Sequence, residues 1–270
     1  MNRIAQTFAV LQSNRKKALI PFITAGDPDP ALTVDLMHCM VDEGSDIIEL
    51  GVPFSDPMAD GPTIQRSSER ALKHHVSLIN VFDMVAKFRQ KNTYTPVVLM
   101  GYANPVEAMG YENFAVKAKD AGVDGVLTVD YPPEECEEWV KCLEQHGMDA
   151  IFLLSPTTTQ LRIEHVAKLA KGYIYYVSLK GVTGASHLNL RDVESMLAKL
   201  RALLSIPIGV GFGIRDGATA AAVAELADAV VIGSRIIEEI EHSSRSEILN
   251  NVGNLIASMR MAIDAKRDQN

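Results

Sequence analysis

Cysteine is scarce, with three in 270 residues: Cys39, Cys136 and Cys142. An odd, sparse count argues against a disulfide framework and points to a reducing cytoplasm. The seven histidines are spread out, and none pairs with a cysteine at zinc spacing, so no metal site is expected. Basic charge is also short, with 26 Lys and Arg against 34 Asp and Glu, a formal charge of −8. That balance leaves no basic stripe for nucleic acid. No apolar run approaches the ~20 residues that span a membrane. The first residues, Met1-Asn2-Arg3-Ile4-Ala5-Gln6, lack the apolar core of a signal peptide. Low-complexity tracts, linkers and composition shifts are missing too, so residues 1–270 read as one domain.

Apolar residues make up 47% of the chain, enough to offset the entropy of ordering and exclude disorder. They fall into eight short β-branched runs: Leu19 to Ala25, Ile47 to Val52, Val97 to Tyr102, Gly125 to Asp130, Ala150 to Ser155, Tyr173 to Leu179, Pro207 to Gly213 and Ala229 to Ser234. Segments with helical spacing separate them, such as Leu32, Leu36, Met37, Met40 and Val41. Gly122 marks one helix stop. Strands alternating with helices imply parallel βαβ units. Eight units in this length match the ~250 residues of a (β/α)8 barrel. A doubly wound sheet would carry G-x-G-x-x-G after its first strand, whereas this strand ends Thr24-Ala25-Gly26-Asp27-Pro28. The expected fold is therefore α/β, a single (β/α)8 TIM barrel. An extra N-terminal helix over 3–12 should plug its bottom, and a final helix, Ile248 to Ala265, should close the outer ring.

In the second run, Ile48, Leu50 and Val52 share one face, which should meet the helices. Ile47, Glu49 and Gly51 then face the barrel interior. A carboxylate buried there shifts its pKa upward, and Glu49 could hold or pass a proton near neutral pH. The following loop carries Asp60 before Gly61-Pro62, where it reads equally as a helix cap or as a second catalytic group. Glycine turns follow strands six, seven and eight: Gly181 to Gly184, Gly211 to Gly213, and Gly233-Ser234. Such turns expose amides to an anion, and barrels often hold phosphate there. Between acid and anion, the inward candidates are Phe22, Met100, Leu127, Leu153, Tyr175, Phe212 and Ile232, a setting for a flat aromatic group.

The run Glu49-Leu50-Gly51-Val52-Pro53-Phe54-Ser55-Asp56-Pro57-Met58-Ala59-Asp60-Gly61-Pro62 resembles the signature of the tryptophan synthase alpha subunit family. Pro21 to Pro28, Met100-Gly101-Tyr102-Ala103-Asn104-Pro105 and the three glycine turns match as well. The resemblance implies a lyase that splits indole-3-glycerol phosphate into indole and glyceraldehyde 3-phosphate. It implies that Glu49 and Asp60 are the catalytic carboxylates. It assigns Phe22, Tyr175 and Phe212 to the indole pocket and Thr183 to a closing loop, and Met100, Tyr102, Leu127 and Ile232 are the further substrate candidates. The phosphate would meet Gly184, Gly211, Gly213, Gly233 and Ser234. No cofactor or metal is implied on this chain; pyridoxal phosphate belongs to a beta subunit, in an assembly of two alpha and two beta chains. Pro53, Asp56, Pro57, Asn104 and Pro132 read as either partner contacts or rigid loops. Leu179-Lys180 departs from the family, where arginine and a small residue often stand. Two other readings are a Schiff-base aldolase using Lys180 and a non-catalytic activating subunit.

Overall fold

The computed structural model describes residues 2–178, 190–211 and 213–265. Eight strands close into one parallel barrel in sequence order. They are β1 (Ala18–Thr24), β2 (Ile48–Gly51), β3 (Val97–Gly101), β4 (Gly125–Thr128), β5 (Asp149–Leu154), β6 (Ile174–Val177), β7 (Ile208–Gly211) and β8 (Ala229–Ile232). The helices are α1 (Arg3–Ser13), α2 (Pro30–Asp42), α3 (Pro62–Leu72), α4 (Leu78–Arg89), α5 (Ala103–Met109), α6 (Tyr111–Ala121), α7 (Glu137–Gln145), α8 (Gln160–Leu169), α9 (Leu190–Arg201), α10 (Gly217–Leu226), α11 (Ser234–His242) and α12 (Ile248–Ala265). Most strands are shorter than the apolar runs that mark them. β4 stops at Thr128, not Asp130, and β6 spans only Ile174–Val177. The apolar runs continue into loops that no longer pair with a neighbouring strand.

Side-chain alternation divides the core in two. Ile48 and Leu50 join the outer cluster beneath the helices, and Val52 packs against it. Ile47 joins the inner cluster with Val98, Leu127, Ile151 and Tyr173. Helix α1 caps that inner cluster with Ile4, Phe8 and Leu11, as the plug reading expected. Gly122 ends α6 in the left-handed conformation, φ +91°. Pro62 starts α3, but the cap position falls on Gly61, so Asp60 is not the cap.

One inward assignment, Ile232, and one cavity assignment, Leu127, need correction. Ile232 belongs to the outer cluster, and its neighbour Val231 faces inward. Every side chain of β8 is buried, so apolarity alone cannot give its phase. Leu127 does point inward, but it lies in the packed inner cluster; Val129, two residues on, reaches the cavity instead.

The plug is tied down by a charge cluster. Asp124, its side chain 4% exposed, accepts from Arg3 at 2.8 Å, from Arg89 at 2.7 Å and from the Val97 amide at 2.9 Å. Arg89 also donates to the carbonyls of Asn92, Thr95 and Gly122. Losing Arg89, its side chain only 10% exposed, removes the donor to three carbonyls and one partner of Asp124, whereas the Arg3 side chain is one-third exposed. Arg89→Ala should cost about 3–5 kcal/mol, and Arg3→Ala less than about 1 kcal/mol. Urea unfolding measures both, and equal losses would contradict this account.

Candidate active site

A cavity of about 260 Å³ opens inside the barrel. Phe22, Glu49, Met100, Leu153, Tyr175, Gly213, Gly233 and Ser234 line it, as expected from sequence, together with Asp60. Glu49 sits opposite Phe22 on β1 and Val98 on β3. It is fully buried. One oxygen, Oε1, accepts from the Tyr173 hydroxyl at 2.5 Å. Among the described residues, the other, Oε2, has no hydrogen-bond partner. Loss of water pushes the Glu49 carboxyl up to about 7, and the Tyr173 bond opposes the rise only in part.

Asp60 reaches the same cavity from the loop after β2. Burial raises its carboxyl, and a 3.0 Å bond from the Tyr102 hydroxyl offsets part of that. The same hydroxyl accepts from the Ala59 amide at 3.0 Å. The Tyr102 ring stacks on Phe54 with centroids 5.1 Å apart. Tyr102 therefore holds Asp60 from behind and is not among the residues lining the main cavity.

Two glycines make room for the aromatic walls. A Cβ on Gly51 would lie 2.6 Å from the Phe22 ring, and one on Gly211 would lie 2.2 Å from the Tyr175 hydroxyl. Gly211, expected at the phosphate, thus serves the seating of Tyr175 and does not line the cavity. Gly213, at φ +79°, does line it. So does Ser234, which opens α11. The amides of a helix's first turn and its positive dipole end suit an anion there. Thr183, Gly184, Phe212 and Lys180 lie outside the described residues.

A family model described as tryptophan synthase alpha chain matches residues 8–265. The tryptophan synthase alpha chain of Nitrosomonas europaea is 68% identical, over 99% of this chain and 98% of its own length. That of Chromobacterium violaceum is 62% identical, over 97% and 100%. The crystal structure of the Legionella pneumophila alpha subunit superposes with a TM-score of 0.92 at 46% identity, covering 98% of this chain and 99% of that one. The chain belongs to the tryptophan synthase alpha chain family. Alpha chains of this family are lyases that cleave indole-3-glycerol phosphate, and the indole passes to a beta subunit.

The alpha chain's cavity includes residues that sequence reasoning missed. Val129, Ser155 and Val177 line it two residues beyond inward-facing Leu127, Leu153 and Tyr175. Carrying the period-two phase past each strand end would have found them. Tyr173 was overlooked although a buried tyrosine hydroxyl requires a partner. Among the loops read as partner contacts, Asp56 and Asn104 are exposed and Pro57 and Pro132 are half-buried. Pro53 is buried by its own chain and offers little to a partner.

The raised Glu49 carboxyl ties stability to pH. The unfolded group loses its proton near its ordinary 4.5, and the folded one near 7. Between these values the folded state binds more protons, so stability falls as pH rises. The contribution is complete below pH 4.5, and roughly 3 kcal/mol is lost once pH passes 7. Glu49→Gln should lack this fall. Urea unfolding of both proteins across the window gives the difference; parallel curves would contradict the assignment.

Proposed function

We propose that Glu49 is the proton-transfer group and Asp60 its electrostatic partner in the cleavage of indole-3-glycerol phosphate. The observation that carries this reading is the buried Glu49 carboxyl, raised to about 7, with one oxygen unpartnered among the described residues at the cavity wall. The indole ring becomes an electron acceptor only when C3 is protonated. Glu49 donates that proton. Asp60 accepts a hydrogen bond from the ring N–H and stabilises the positive charge that spreads to nitrogen. The bond from C3 to the glycerol chain then breaks, and its electron pair restores the ring as indole. The adjacent hydroxyl of the chain gives its proton to the Glu49 carboxylate and becomes the aldehyde of glyceraldehyde 3-phosphate. Glu49 ends as it began, protonated. A pKa near neutrality suits a group that gives and takes a proton in one turnover.

Phe22, Met100, Leu153 and Tyr175 enclose the aromatic portion, while Gly213, Gly233 and Ser234 receive the phosphate. That anchor fixes the reacting carbon against Glu49. Thr183, Gly184 and Phe212, which the family resemblance assigns to the substrate and its phosphate, lie outside the described residues. The whole activity resides in one barrel domain that needs no cofactor of its own. The partner is a beta subunit carrying pyridoxal phosphate, in a cytoplasmic assembly of two alpha and two beta chains. Asp56, Pro57, Asn104 and Pro132 lie on loops available to that contact. Among the described residues, no helix is long and apolar enough to cross a membrane.

An indole-release assay tests the roles. Glu49→Gln and Asp60→Asn should each lose about 10²–10⁴-fold in turnover, with an unchanged circular dichroism spectrum. Turnover of the parent protein should fall as pH rises through about 7, where Glu49 loses the proton it donates. Undiminished turnover in Glu49→Gln would overturn the reading.

A further inference from the structure

On the outer ring, two neighbouring helices bring three different donor atoms together. Cys142 lies on α7, and His146 follows its last residue, four positions on. That spacing places both on one helix face. Glu112 stands in the first turn of α6. Its Oε1 is 3.3 Å from His146 Nε2, and its Oε2 is 3.8 Å from Cys142 Sγ. The sulfur, nitrogen and carboxylate oxygen all lie within 4.8 Å of one another. None of the three lines the catalytic cavity.

The histidine is already set for coordination. Its Nδ1 lies 2.9 Å from the Cys142 backbone carbonyl oxygen. A carbonyl only accepts, so Nδ1 carries the proton, and in the neutral ring the lone pair sits on Nε2. A hydrogen bond from one ring nitrogen to a carbonyl is how proteins orient a metal-binding histidine. In the neutral ring the Nε2 lone pair faces the Glu112 oxygen 3.3 Å away, and either a second ring proton or a cation between them satisfies both.

We propose that Glu112, Cys142 and His146 bind a divalent cation of the zinc class, clamping α6 to α7. Ordinary zinc bonds to nitrogen, sulfur and oxygen place tetrahedral donors about 3.5 Å apart. Glu112 approaches that spacing through one oxygen to the nitrogen, at 3.3 Å, and through the other to the sulfur, at 3.8 Å, so a small side-chain rotation brings one oxygen to both. One thiolate and one imidazole select zinc, cobalt or nickel over calcium and magnesium, which require oxygen ligands. The Glu112 side chain is 75% exposed, so water can complete the fourth position. Burial and the Glu112 charge raise the Cys142 thiol, which donates its proton to Glu112. The cation replaces that proton, which passes to solvent as the metal–sulfur bond forms. Sequence reading passed over the Cys142–His146 pair, four positions apart, because the third donor comes from another helix. The proposal is independent of the roles given to Glu49 and Asp60.

Cobalt titration of the untagged, chelator-treated full chain tests it. One equivalent should bind and produce a thiolate-to-cobalt charge-transfer band, displaced by zinc. His146→Gln should weaken binding by roughly 10- to 100-fold or more, and Cys142→Ser should abolish the band. Zinc should raise the thermal midpoint of the parent chain and not that of His146→Gln. His146 is only partly buried at a helix end, so its variant keeps the test decisive if Cys142→Ser folds poorly. Indole release should be unchanged in both variants. No charge-transfer band in the parent chain, or equal affinity in parent and His146→Gln, would overturn the site.

Discussion

Removing one carboxyl group from water governs this structure. Glu49 faces the interior because Ile48 and Leu50 must meet the helices, and a strand alternates its faces. Closure of the barrel denies it solvent. The Tyr173 hydroxyl satisfies one oxygen and leaves the other uncommitted. The resulting acid takes up and releases its proton near pH 7. A buried charge lacking a full set of partners is costly, so the fold tolerates this residue at a price in stability.

The surrounding architecture serves that group. Helix α1 closes the barrel bottom with Ile4, Phe8 and Leu11, and Asp124 ties the plug to α4 through Arg89. Gly51 and Gly211 yield space to Phe22 and Tyr175, which forms a largely apolar cup next to the acid. Tyr102 connects the Asp60 carboxyl to the backbone of its own loop. The two carboxylates thereby experience different surroundings, one in a closed core and one on a braced loop. Separate environments are how one site keeps two acids in two roles.

Much of this was legible in the amino-acid order. Eight β-branched runs announced the barrel, and the apolar face of the second run placed Glu49 inside before any coordinates. Legibility failed where the pattern carries no contrast. Ile232 and Val231 are both apolar and both buried, so only packing shows that Val231 is the inward one. The cap reading of Asp60 failed because Tyr102, 42 residues away in sequence, engages its carboxylate. Gly211 looked like an anion contact, since a close approach to a neighbouring tyrosine leaves the same glycine in the sequence. The bond between Tyr173 and Glu49 spans 124 positions and exists only after the barrel closes.

The central claim is that desolvation alone lifts the midpoint of the Glu49 carboxyl to near neutral pH. Site-resolved carbon-13 NMR of the glutamate carboxyls, with Glu49→Gln identifying the resonance, reads that proton directly in the ligand-free chain. A midpoint near 7 is the expected result. A midpoint near the ordinary 4.5 would show a hydrated, ionised carboxylate and contradict the account.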